Sequence, residues 1–245
     1  MGNICTFHMA CCDVGLKPAF HPFWESFLLV DIYLSITPDI LHQLLQGVIK
    51  HLISWLVSPQ AFGPVQINAQ CWIILPNHHL KLFSKGITML SRVSSKEYKN
   101  ICSILLSLVV NLPLPYGQLP SWILRAVHVL LDFLYLAQLL SHTFETLHCL
   151  GGLLACFHEN KAVFINLGIW EHFNIPKFHS LPHYVALITL FGTTDNYSTK
   201  QTECLHIDFA KDAYHVTNHK EEISQMTTWL DCHKKIQCHS AFIEW

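Results

Sequence analysis

At 245 residues the chain is long enough to bury one or two sizeable cores. Hydrophobic residues make up 51% of it, charged residues only 13%, and the formal net charge is −2. This balance excludes a strongly basic domain of the kind that binds nucleic acid through overall charge alone. The basic residues are uneven in type, with thirteen Lys against two Arg, and they stand beside 18 His, 10 Cys and 7 Trp.

The cysteines are scattered and form no C-x-x-C pair, so the spacing argues against a zinc ribbon. The N-terminal MGNICTFHMACC lacks the basic region and apolar run of a signal peptide. The sequence therefore predicts an intracellular protein with reduced thiols.

The first strong structural signal lies over Phe27–Ile36, a β-rich apolar run that predicts a buried strand. Thr37 is then a predicted N-cap, with Pro38 at the first helical position, and the helix is expected to reach about Val57. Its predicted apolar face consists of Leu41, Leu44, Leu45, Val48 and Leu52.

Downstream the pattern is helical. Ser94, Ser95 and Glu97 predict the start of a helix that runs to Val110. Further helices are predicted over 121–140 and 143–158, and we find no internal repeat. The expected fold class is therefore mainly α, with one strand near 27–36.

The apolar stretch Trp122–Leu140 is long enough to cross a membrane. Arg125, His128 and Asp132 interrupt it, and an Asp near a helix centre costs about 2.5–3.5 kcal/mol to insert. An amphipathic helix is the favoured interpretation, with no membrane partner. A membrane protein built on this stretch is the alternative, and it would need detergent for extraction.

The stretch 192–222 begins with turn and cap residues and continues as a charged amphipathic segment. On a helix, Glu203 and His206 share a face. Leu205, Phe209 and Ala213 form an apolar stripe on the opposite face. Two interpretations stay open: a surface helix with a solvated acidic face, or a metal-binding Glu203 whose partner lies near Asp39.

Five ordered blocks between Gly15 and Trp245 resemble the Plavaka-type transposases, relatives of the CACTA group of cut-and-paste DNA transposases. The first block contains the D-x-x-H pattern of Asp39 and His42. In chain order the blocks read ITPDILHQLLQGVIKHLISWL, LPNHHLKLFSKGITMLSRVSSKEY, VLLDFLYLAQLLSHTFETL, FHENKAVFINLGIWEHFNIPKFHSLPHY and FGTTDNYSTKQTECLHIDFAKDAYHVTNHKEE.

The resemblance implies an RNase H-like core in which three carboxylates hold two Mg²⁺ or Mn²⁺ ions for DNA strand cleavage and transfer. By similarity, Asp39 is the second catalytic carboxylate and metal ligand, supported by His42. Glu203 is the third, supported by His206, on a C-terminal helix. For Asp39 the structural alternative is a helix N-cap, a role compatible with metal binding. The resemblance also implies transposon-end DNA as partner and a nuclear location.

The same resemblance divides the chain into three parts. Residues 1–36 are an N-terminally truncated remnant of the RNase H-like core, 37–190 a large helical insertion, and 191–245 the C-terminal helical part of the core. The first catalytic carboxylate has no counterpart upstream of Asp39, so the fragment is expected to be inactive alone and to bind DNA weakly. The alternative is a non-enzymatic helical interaction protein, co-opted or inhibitory, that pairs with itself or with an intact transposase.

The departures from the family pattern can all be explained by one type of nucleotide change. The family typically has Arg where this chain has Cys204, His215, Trp170 and His128. Each change can arise by a single C-to-T or G-to-A transition, which would also explain the scarcity of Arg beside abundant His, Cys and Trp. The resemblance therefore indicates a degenerate copy, decayed by cytosine deamination.

Overall fold

A computed structural model describes residues 4–13, 21–78, 80–91, 93–117 and 120–245. The chain divides into two compact units, Met1–Thr37 and Pro38–Trp245. Within the described ranges the regular structure is helical and contains no strand, which confirms the mainly α prediction. The three-part division at 36 and 190 stays a prediction.

The first unit contains α1 (Ile4–Asp13), a 3₁₀ turn (Phe23–Ser26) and α2 (Ile32–Ser35). The strand predicted over 27–36 is wrong, because the structure has a turn followed by α2 there. A strand needs a neighbour to pair its backbone groups, and no other strand lies in the described ranges. The backbone bonds locally instead, since the Leu34 and Ser35 amides donate to the side chain and carbonyl of Asp31.

The second unit begins with a π-helical segment, Ile40–Ile49, that continues as α3 (Lys50–Val57). The predicted end of this helix is confirmed, but its predicted start lies two residues too early. Asp39, not Thr37, is the N-cap: its backbone is extended and its side chain accepts the His42 amide at 3.0 Å. The predicted apolar face is buried throughout.

Seven α-helices follow among the described residues and form most of the core. They are α4 (Pro64–Ile73), α5 (Ser95–Val109), α6 (Ser121–Ala137), α7 (Phe144–Asn160), α8 (Ala162–Asn166), α9 (Pro176–His179) and α10 (His183–Phe191). At the start of α5, Ser94 and Glu97 form the reciprocal capping box that the sequence indicates. Thr143 caps α7 in the same way with Thr146.

The core is built on α6, which packs along α7 and buries one apolar face against it. A second centre is the ring of Trp55, which lies 4.9 Å from Phe164 and 5.4 Å from both Phe173 and Phe178. In the part of the chain that is described, no helix has the length and apolarity needed to cross a membrane.

The last part of the chain is less well packed. It contains a 3₁₀ turn (Thr194–Tyr197), α11 (Lys200–His206), a π-helical turn (Ile207–Lys211), α12 (Asp212–His215) and α13 (Glu222–Glu244). The predicted apolar stripe of this segment does not face the core as a whole. Ala213 is buried, but Leu205 is 45% and Phe209 57% exposed.

Candidate functional site

Three of the predicted site residues meet in the second unit. Asp39 precedes the first π-helical segment, His42 lies in that segment's first turn, and Glu203 comes from α11. The His42 ring joins the two carboxylates: Nδ1 lies 3.2 Å from Oδ2 of Asp39, and Nε2 lies 2.5 Å from Oε1 of Glu203. The fold therefore brings together two acidic residues that are distant in sequence.

Asp39 is the most enclosed member of the cluster, with 5% of its surface exposed. Its Oδ1 accepts the backbone amide of His42, and its Oδ2 accepts the hydroxyl of Thr199 at 2.5 Å. Both carboxylate oxygens thus have donors, as a buried charge requires. Asp39 performs its N-cap role and its role in the cluster at the same time.

Thr199 is a site residue that the sequence prediction missed, because it was interpreted only as a turn or cap residue. It stands at the N-cap of α11, yet its side chain makes no capping hydrogen bond to that helix. Its hydroxyl instead donates to Asp39, 160 residues away in sequence. A Thr beside Ser198 at a helix start carries no sequence signal for such a distant partner.

The position of His42 has a direct chemical meaning. An imidazole donates from both ring nitrogens only when it is protonated, and here each nitrogen faces a carboxylate oxygen. A protonated ring places one positive charge between two negative ones. The His42 and Glu203 side chains are 41% and 46% exposed, so water screens this pair and limits its contribution to stability.

A second set of hydrogen bonds, formed by buried residues, holds the backbone carbonyl of Asp39. The buried Tyr184 hydroxyl lies 2.7 Å from Oε1 of Gln43 and 3.1 Å from the carbonyl oxygen of Asp39. Gln43 in turn donates through Nε2 to the carbonyl of Lys177 in α9. Burial, reinforced by the negative charge of Asp39, raises the pKa of Tyr184 well above its usual value, so the phenol stays a neutral donor.

Both acidic residues lie beside π-helical backbone. The segment Ile40–Ile49 follows Asp39, and the turn Ile207–Lys211 follows the α11 helix that carries Glu203. Widened helical turns are rare and occur frequently at functional sites. They change the angular position of successive side chains, and both are close to the cluster along the chain.

His206 does not join the cluster. It ends α11 as an exposed residue, and its side chain makes no hydrogen bond or ion pair within the described ranges. Its supporting role stays a prediction that this arrangement of side chains does not favour.

The donor chemistry of the cluster suits a hard divalent cation, because two carboxylates and a hydroxyl supply oxygen ligands. The number and placement of donors do not suit a complete two-metal centre. Nowhere in the described ranges do three or more His, Cys, Asp or Glu side chains form a group able to hold a metal ion. The His42 ring lies between the carboxylates, and both Asp39 oxygens are already engaged.

Comparison with known proteins gives one family match. The model of the Plavaka transposase family matches residues 1–56. This range includes Asp39 and His42 but not Glu203. No curated protein and no solved structure matches the chain significantly. The chain is thus similar to Plavaka transposases over its N-terminal part.

Proposed function

We propose that this chain is a transposase-derived protein whose Asp39 and Glu203 are two ligands of a divalent-metal site for DNA strand cleavage and transfer. The single observation that supports the proposal is the joining of the two carboxylates through His42. Their chain positions are those that the transposase resemblance assigns to the second and third catalytic carboxylates. The family match supports a transposase origin, and the matched range 1–56 includes Asp39.

The proposed metal is Mg²⁺ or Mn²⁺, which in such sites activates a nucleophilic oxygen and stabilises the leaving oxygen. In this chain Asp39 and Glu203 would supply the carboxylate ligands, while Thr199 and Tyr184 position Asp39 through its side chain and its carbonyl. The His42 ring occupies the place between the carboxylates and competes with a cation for it. Two carboxylates are too few for a two-metal centre, so we propose that the chain alone binds metal weakly and cleaves no DNA.

Transposon-end DNA is the proposed partner, and a nuclear location follows from that partner. The affinity is expected to be low, because DNA binding relies on Lys and Arg that neutralise phosphates and this chain has a net charge of −2. The affinity for DNA is tested by measuring the fluorescence anisotropy of labelled duplex DNA, mixed with the protein, at two salt concentrations.

The metal site is tested by titrating the full chain with Mn²⁺ and measuring free Mn²⁺ by electron paramagnetic resonance. We expect weak binding that Glu203→Gln and Asp39→Asn abolish and that the exposed Glu171→Gln leaves unchanged. His42→Ala is expected to strengthen Mn²⁺ binding, because it removes the competing ring. Equal binding by the parent, Asp39→Asn and Glu203→Gln proteins would refute the site.

We include in the proposal that the copy is degenerate. Trp170 stands where the resembled family typically has Arg, and its indole N–H is buried without a hydrogen-bond partner among the described residues. Such orphaned donors are uncommon in packed proteins. Sibling copies in the same genome should therefore differ mainly by C-to-T and G-to-A transitions, and an unbiased substitution spectrum would contradict decay by deamination.

The alternative function is a non-enzymatic interaction protein derived from a transposase. The observation in its favour is α13, a 23-residue helix with no buried residue. Under this alternative, the contacts of His42 with Asp39 and Glu203 only hold α11 against the first π-helical segment. No variant then binds Mn²⁺, and His42→Ala only lowers the melting temperature. The Mn²⁺ titration therefore separates the two functions.

A further inference from the structure

A second site is indicated by an open pocket of about 510 Å³ between the end of α7 and the segment that leads into α9. Its titratable side chains are all basic: His158 and Lys161 on one wall and His179 on the other. No carboxylate from the described part of the chain lines it. Lys161 supplies a positive charge and the two imidazoles offer ring N–H donors, so these groups together complement an anion.

Two of the residues that line the pocket, Phe173 and Phe178, are aromatic. Phe178 is buried and stacks between Trp55 and Phe157, at centroid distances of 5.4 and 5.6 Å. Phe173 stands edge-on to Trp55 and Phe178 and is only half-buried. These neighbours hold the Phe173 ring in place, as a stacking platform requires.

Lys161 connects the charged and the aromatic parts. Its ammonium lies 5.0 Å from the centroid of the Phe173 ring, a cation–π contact. A phosphate in the pocket would draw this flexible ammonium towards itself and leave the ring face available to a planar group. Asn174, which also lines the pocket, offers an amide donor and acceptor.

The position of two of these basic residues has a simpler explanation, since the C-terminal end of α7 favours basic side chains. That explanation accounts for His158 and Lys161, which lie at this end. It does not account for His179 on α9 or for the exposed part of Phe173. Burial, followed by the charge of Lys161, lowers the pKa of His158 and favours its neutral form.

We propose that this pocket binds a nucleotide, with the phosphate held by Lys161 and His179 and the base stacked on Phe173. The nucleotide is either free or an unpaired unit of a DNA strand. The pocket wall α9 also receives the Gln43 hydrogen bond, so it is tied to the segment that carries Asp39. The proposal extends the DNA-related function above, on which its biological meaning rests, but its test needs no metal.

The test uses the full chain with a fluorescein-labelled thymidine decamer in EDTA, read by fluorescence anisotropy. Lys161→Ala should weaken binding about tenfold and reduce the slope of log affinity against log salt by about 0.7, the value for one lost single-strand phosphate contact. Phe173→Leu keeps the apolar volume but removes the stacking face, and should weaken binding at least about fivefold. Lys234→Ala, an exposed charge removed from α13, is the matched control.

Competition separates the two sources of the nucleotide. Displacement of the decamer by thymidine monophosphate assigns the pocket to a single nucleotide unit. Displacement by unlabelled decamer alone, still sensitive to Lys161→Ala and Phe173→Leu, assigns it to a DNA strand. If Lys234→Ala weakens binding as much as Lys161→Ala, or if inorganic phosphate competes as well as the nucleotide, the proposal is overturned.

The variants also need a folding control, because Phe173 packs against core rings. His179→Ala alters an exposed residue of the pocket and should weaken decamer binding without changing the melting temperature. A loss of binding in Phe173→Leu but not in His179→Ala or Lys161→Ala would contradict the pocket. Because EDTA removes divalent ions, decamer binding does not depend on the proposed metal site. A failure of decamer binding therefore does not affect the outcome of the Mn²⁺ titration.

Discussion

Asp39 combines structural and chemical roles in a single side chain. It caps a helix through Oδ1, accepts Thr199 through Oδ2 and faces the His42 ring. The D-x-x-H pattern indicated the partnership with His42, because it depends on residues three apart. The N-cap, however, was predicted at Thr37, and Asp39 was a cap only in the alternative interpretation. The sequence could not predict Thr199, whose contact depends on how α11 packs.

The hydrogen bond from Thr199 to Asp39 should contribute measurably to the stability of the fold. Thr199→Val keeps the shape of the side chain but removes the donor to a carboxylate that is 5% exposed. Leaving a buried acceptor short of one partner should lower the free energy of unfolding by about 1–3 kcal/mol. Urea denaturation monitored by circular dichroism measures the change.

Thr199→Ser is the matched control, because it keeps the hydroxyl and loses only a methyl group. It should retain most of the stability that Thr199→Val loses. Equal losses in the two variants would show that packing, and not the hydrogen bond to Asp39, is what Thr199 provides.

Among the helices, elements with local start signals were predicted well. The Ser94–Glu97 box marks the start of α5, and Thr143 marks the start of α7. The prediction of a strand over 27–36 was wrong for a physical reason. An apolar, β-branched segment is stable as a strand only when it packs within a sheet, and the described ranges contain no other strand that could pair with it. Leu28 and Leu29 remain 97% and 100% exposed.

The α5 cap predicts a pH dependence. The Lys81 ammonium, helped by the Ser94 amide and hydroxyl, lowers the pKa of Glu97 from 4.5 to about 2. A carboxyl whose pKa is lower in the folded state stabilises the fold above its unfolded pKa, and this stability is lost as pH falls from about 4.5 towards 2. The urea midpoint measured between pH 5 and pH 2.5 should therefore fall more steeply in the parent protein than in Glu97→Gln.

Gln at position 97 keeps an acceptor for the Ser94 amide but does not titrate, so the comparison isolates the charge. The exposed Glu171→Gln should keep the steep dependence of the parent protein. A parent curve and a Glu97→Gln curve that run parallel would show that Glu97 does not titrate differently in the folded and unfolded states.

For the whole molecule, the decisive fact is uneven packing. Residues 40–191 hold most of the buried apolar side chains, whereas α11 to α13 are attached with few of them. Hydrophobic periodicity predicted the well-packed helices, because their apolar faces meet one another. It failed for the stripe of Leu205 and Phe209, because a stripe shows only that a helix has an apolar face and not that anything covers it.

The C-terminal end of the chain, in and just after α13, exposes several large apolar side chains. Ile236, Phe242, Ile243 and Trp245 are 65–99% exposed, and fully burying one such side chain is worth about 1.5–3 kcal/mol. Sedimentation velocity should therefore show association that increases with protein concentration, and Phe242→Ser with Trp245→Ser should reduce it. Val65→Ser with Trp72→Ser removes comparable exposed apolar surface from α4 and is the matched control. If the α4 pair reduces association equally, the attraction is a general property of an apolar surface, and α13 is no specific interface.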